Sequence, residues 1–136
     1  MYNYEDEKNN KYILYARKSS EDEDRQTLSI DSQIDELRKI AIEKKLNIVE
    51  IIKESKSAKE PGRPLFNEML RKINAGEANG ILCWKFDRLA RNPIDGGSLT
   101  WMLQKGIIKY IHTFGKTYTE FDNSILLGVE FGQANQ

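Results

Sequence analysis

The sequence predicts an α/β domain built on a mostly parallel four- to five-stranded sheet with helices on both faces, and three observations lead there. First, Tyr12 to Ala16 is an apolar run without polar alternation, the pattern of a strand covered on both sides. Second, strand-like and helix-periodic segments alternate along the chain, and such crossovers make neighbouring strands parallel. Third, 136 residues with 39% hydrophobic and 31% charged content fit one soluble domain with one core.

The elements follow in order. Residues 1–11 are polar and acidic, bury little, and read as a flexible tail. The first strand ends in Arg17-Lys-Ser-Ser20, one fixed cation followed by two adjacent hydroxyls. Arg17 and Ser19 sit two apart, so extended geometry points them to one side. A polar loop then leads to Ser29, an N-cap candidate, with Asp31 suited to the positive helix end. Ile30, Ile34, Leu37 and Ala41 recur at helical spacing, which predicts an amphipathic helix over about residues 30–45.

Asn47 to Lys53 is β-branched and reads as the second strand, opening into a loop of small, polar and turn residues through Gly62. Pro64 suits a first helical turn, and Leu65, Phe66, Met69, Leu70 and Ile73 continue that helix until Gly76 stops it. Gly80 to Phe86 repeats the pattern of the first strand, apolar and then charged. Pro93 cannot sit deep in a helix, so Asp87 to Asn92 reads as one short turn before a new helix over Pro93 to Gln104. Ile107 to Phe114 is expected to be a strand and Gly115 to Thr119 a turn with room for a short extra strand. Phe121 to Gln136 has helical spacing without a stop signal.

Composition narrows the chemistry. There is no apolar run near the length of a membrane span and no signal-like start, which implies a cytoplasmic protein. One cysteine, Cys83, and one histidine, His112, exclude an internal disulfide and a cysteine- or histidine-rich metal cluster; both sit in apolar runs and read as core residues. Lysine plus arginine equals aspartate plus glutamate at 21 each. The chain therefore lacks the basic excess that holds nucleic acid by counterion release. The acidic run Glu21 to Asp24 would repel a phosphate backbone.

Parallel strands put the loops that follow them at one edge, so Arg17 and Ser19, Arg63, and Arg88 with Arg91 are expected to converge. Guanidiniums are permanent cations with a planar donor fork matched to phosphate oxygens, and a phosphoryl group is the natural substrate for four of them near one serine. If Arg88 and Arg91 share a helical turn, their spacing lets both face the same anion. The plainer alternative is that these arginines make surface ion pairs with the equally numerous acids.

Four motifs then agree: Tyr15-Ala-Arg-Lys-Ser19, Leu28-Ser-Ile-Asp-Ser-Gln33, Gly62-Arg-Pro-Leu65 before a helix, and Lys85-Phe-Asp-Arg-Leu-Ala-Arg91. In this order and with these gaps the chain resembles the catalytic domain of the serine recombinases, the resolvase/invertase family, over about residues 12–136. The longer loop and the Arg63-Pro64 form look more like the large members from phages and conjugative transposons. The resemblance implies site-specific breakage and rejoining of double-stranded DNA by transesterification. Ser19 matches the nucleophile and Arg17, Arg63, Arg88 and Arg91 the arginines around the scissile phosphate. Asp87 matches the aspartate beside them, and Gln33 a polar helix residue near the site. The resemblance also implies a homodimer that becomes a tetramer in the synaptic complex, with no metal and no other cofactor. It places the catalytic domain at residues 12–120 and makes 121–136 the truncated start of the long dimerisation helix, so that the DNA-reading region lies outside this chain.

Two departures stand out. Ser20 occupies a place where the family often has threonine and is a rival hydroxyl, and the acidic run Glu21 to Asp24 is unusual beside a DNA site. The competing reading is a flavodoxin-like domain that binds or processes phosphate. It predicts a glycine-rich loop after the first strand, where residues 16–27 contain no glycine.

Overall fold

The computed structural model describes residues 10–18, 29–55, 64–90 and 93–119. Its elements are β1 (Lys11–Lys18), α1 (Ile30–Lys44), β2 (Asn47–Ser55), α2 (Pro64–Asn74), β3 (Gly80–Cys83), α3 (Phe86–Leu89), α4 (Pro93–Gln104), β4 (Tyr110–His112) and β5 (Thr117–Tyr118). They form one sheet in the order β2-β1-β3-β4-β5, parallel throughout except for the antiparallel β4–β5 pair. The α/β class, the mostly parallel sheet and its two covered faces are as the sequence implies. No described helix is long and apolar enough to cross a membrane.

The central strand explains both layers. Along β1 the side chains alternate, so Tyr12, Leu14 and Ala16 pack with Ile34, Leu37 and Ala41 of α1. Ile13 and Tyr15 pack on the other face with α2, α3 and α4, through Phe66, Met69, Ile73, Leu89, Leu99 and Met102. At roughly 1.5–3 kcal/mol for each large side chain removed from water, these two clusters dominate the stability of the sheet. Cys83 and His112 are buried within this core.

Local chemistry sets the boundaries. Ser29 Oγ accepts from Ser32 N at 3.1 Å and starts α1, while Lys45 in a left-handed conformation (φ 59°) ends it. Gly80 faces Tyr12 across the β1–β3 pair, and a Cβ there would stand 2.4 Å from the Tyr12 ring. The position therefore needs glycine for close approach, whatever its dihedral angles.

Three expectations change. β3 stops at Cys83 rather than Phe86, because Phe86 turns into α3 and packs its ring, tilted by 48°, against Tyr118 at 5.0 Å between ring centroids. β4 is confined to Tyr110–His112, since Ile107 N and Ile108 N both donate to Met102 O and spend that stretch leaving α4. The short extra strand for which the sequence left room is present as Thr117–Tyr118, antiparallel to β4. At the start, Lys11 belongs to β1 and Asn10 is buried, its Oδ1 accepting from Asn79 Nδ2 at 3.0 Å. The sheet thus takes in Lys11, the last residue of the stretch read as a tail, and Asn10 packs beside it.

Candidate functional site

All four parallel strands end at one edge. Arg17, the penultimate residue of β1, is buried at 6% exposure. By alternation it falls on the same face of the sheet as Tyr15, toward α2 and α3. Its backbone is held from the opposite face: Gln33, fully buried on α1, donates through Nε2 to Arg17 O at 3.3 Å. The Ser29 cap fixes where α1 starts and so sets the depth at which Gln33 reaches the strand.

The second strand brings a residue that the sequence reading passed over. Glu54 is in register with Arg17 on β2 and is buried at 1% exposure. Its carboxylate accepts the Tyr15 hydroxyl at Oε1, Phe66 N at Oε1 (3.1 Å) and Leu65 N at Oε2 (2.9 Å). A carboxylate from β2 thus caps the N-terminus of α2, satisfying donors that a helix start leaves open and matching its positive end. Arg63 itself lies outside the described residues, but Pro64 and Leu65, which follow it directly, are tied to the carboxyl edge by this cap. Glu54 sits in a β-branched strand next to exposed Lys53, so nothing local marked it as buried. The one available signal was its period: Ile52 and Glu54 share a strand face.

The third strand leads into α3, a single turn that packs against β1. Asp87 and Arg88 lie on that turn. Ala90 leaves it in extended conformation (φ −112°, ψ 120°), its N–H closing on Phe86 O at 2.8 Å. The single turn ends at Leu89 and the next helix starts at Pro93; Arg91, the second member of the expected shared turn, lies outside the described residues. Ser19, Ser20 and Arg91 lie outside the described residues, as do the acidic run Glu21 to Asp24 and the segment 121–136.

The described part of the edge thus combines a buried guanidinium, a buried carboxylate beside it in register, and a short helix that carries an aspartate and an arginine. A cation held at 6% exposure is only weakly screened, so it acts strongly on an anion brought to the strand ends.

A family model described as "Resolvase, N terminal domain" matches residues 12–128. No curated protein matches the sequence. Three solved structures are similar in fold. The N-terminal catalytic domain of TP901-1 integrase aligns at 20% identity and TM-score 0.68, covering 92% of this chain and 97% of that one. A resolvase family site-specific recombinase from Streptococcus pneumoniae aligns at 25% identity and TM-score 0.67, covering 92% and 89%. The C-terminal catalytic domain of ISC1926 TnpA, an IS607-like serine recombinase, aligns at 22% identity and TM-score 0.61, covering 76% and 68%.

Proposed function

The chain belongs to the resolvase family of serine recombinases, and on that premise we propose that it breaks and rejoins double-stranded DNA through a serine ester. Ser19 Oγ attacks a backbone phosphorus and the bond from phosphorus to the 3′ oxygen breaks. The serine proton ends on the departing 3′ oxygen, leaving a 5′-phosphoserine and a free 3′ hydroxyl. Rejoining is the same exchange run with a new 3′ hydroxyl, and one phosphoester replaces another at each step.

Arg17, Arg63, Arg88 and Arg91 stabilise the charge that builds on the phosphate oxygens, and a nearby guanidinium eases loss of the serine proton. Asp87 matches the aspartate that the family carries beside these arginines. Gln33 holds the backbone of Arg17, and Glu54 holds the start of α2 directly after Arg63. The observation that supports this reading most is the single strand edge: Arg17 on β1, the α2 start fixed by β2, and α3 after β3 all meet there. Strand exchange needs two broken duplexes held together, so the working form is a homodimer that pairs into a tetramer, in the cytoplasm where the DNA is.

The test uses cognate DNA with a chelator present and maps any covalent adduct by mass spectrometry. Adduct is expected on Ser19 in the unmodified protein and in Ser20→Ala, and none in Ser19→Ala. Adduct that survives Ser19→Ala, or that disappears from the unmodified protein on chelation, overturns the assignment.

A further inference from the structure

We propose that the Trp84–Phe114 ring pair, with Lys85 and Lys116, is a contact surface for the DNA that flanks the phosphodiester being broken. The proposal rests on the recombinase reading and adds to it a place where the neighbouring nucleotides sit.

The rings stand with centroids 4.4 Å apart at 37°, and Phe114 N donates to Trp84 O at 3.1 Å, which joins the loop after β3 to the loop after β4. Both loops leave the carboxyl edge of the sheet. Tyr15 is in register with Cys83, the last residue of β3, and Trp84 follows Cys83 directly as the chain leaves the carboxyl edge, where β1 runs on to Arg17. Phe114 is 53% exposed in spite of this fixed pairing.

The turn that presents it is closed by three hydrogen bonds. Thr113 N and Thr113 Oγ1 donate to Lys116 O at 2.7 and 2.8 Å, and Lys116 N donates back to Thr113 Oγ1 at 3.0 Å. Around Gly115 the space is open, with nothing within 4 Å of where a Cβ would stand. Lys85 and Lys116 are exposed, and neither the segment Trp84–Lys85 nor the turn Thr113–Lys116 contains an acid. A partly exposed aromatic pair with lysines next to it in the chain, one of them with its ammonium 4.5 Å over the Tyr118 ring, is a composition that takes nucleic acid: rings stack on a base or lie against a deoxyribose, and lysines meet the phosphates. Breaking the adjacent phosphodiester unstacks a base step and frees such a face.

The chain has two tryptophans, Trp84 and Trp101, so Trp101→Phe leaves Trp84 as the sole reporter. The probe is a short labelled duplex with a single-stranded gap, whose anisotropy reports binding independently. Saturable quenching of Trp84 is expected in step with the anisotropy rise. Phe114→Leu, which keeps an apolar side chain but no π-face, is expected to weaken binding about tenfold, while Phe114→Tyr retains it. Lys116→Gln should lower the slope of log K against log salt by about one.

Anisotropy that rises while Trp84 emission stays constant and Phe114→Leu binds equally well places the DNA elsewhere; it overturns this surface and leaves the recombinase reading intact. Trp84 emission that follows protein concentration without DNA assigns the pair to a second copy of the chain and also overturns it. If the chain gives a serine adduct on cognate DNA yet neither signal moves, this surface alone fails.

Discussion

The Tyr15 hydroxyl donates to Glu54, a carboxylate 39 residues away that also takes the backbone amides of Leu65 and Phe66. One buried side chain therefore joins β1 and β2 to the start of α2, at the level of Arg17. Glu54→Gln leaves a single acceptor oxygen for three donors and turns an amide NH2 toward them, so a loss of about 2–3 kcal/mol in urea unfolding is expected. Tyr15→Phe removes one bond and leaves the helix cap, at a cost of about 1 kcal/mol. Because the two residues share a bond, their effects are expected to combine sub-additively in the double variant. Glu54→Gln should also slow adduct formation, since Leu65 and Phe66, close after Arg63, lose their anchor.

Gly80→Ala tests the closest approach in the sheet. Its Cβ would overlap the Tyr12 ring, which is wholly buried against β3, so the ring or the strand must shift. A loss of about 1–3 kcal/mol is expected, seen as a lower urea midpoint at unchanged slope. Adding Tyr12→Leu to the same background should recover part of that loss, an outcome a purely conformational glycine effect does not give.

These sites divide by how much of their cause was local. β1, α1 with its Ser29 cap, and α4 from Pro93 to Gln104 were legible because period and punctuation lie within the segment itself. The end of β3 was not: Trp84 to Phe86 reads as strand until Tyr118, 32 residues later, supplies the ring against which Phe86 turns. Glu54 was hidden for the same reason, since its burial depends on a tyrosine of another strand and on the start of a helix across a loop. The resolvase motifs named Arg17 and Gln33, while the bond from Gln33 to the carbonyl of Arg17 emerged only with the fold.

His112 makes stability depend on pH. It is buried between Tyr12 and Tyr110, with ring centroids at 5.6 and 5.9 Å, and its Nδ1 lies 2.8 Å from Thr117 Oγ1. Burial, and secondly the charge of Lys44, lower its pKa to about 4. The unfolded chain takes up this proton below about pH 6.5, whereas the fold resists until about pH 4. The stabilisation is therefore complete above about pH 6.5, declines as the pH falls to about 4, and levels off below; about 3 kcal/mol is at stake. Urea midpoints measured across that window should show the decline, and His112→Phe should flatten it.

Arg17→Lys separates charge from geometry at the proposed catalytic edge. Lysine keeps the positive charge but replaces a planar donor fork by a point charge on a flexible stem. At a position only 6% exposed, with its backbone pinned by Gln33, the shorter donor set cannot be compensated by water. If the Arg17 guanidinium stabilises the phosphoryl transition state, Arg17→Lys is expected to lower the rate of adduct formation on cognate DNA by about 10²-fold or more, the scale seen when one preorganised donor is removed. DNA affinity should barely change, because the net charge is the same and counterion release depends on charge rather than on fork geometry. Equal losses in affinity and rate would instead mark Arg17 as a binding residue. An unchanged rate would remove it from the chemistry and leave Arg63, Arg88 and Arg91 to carry the step.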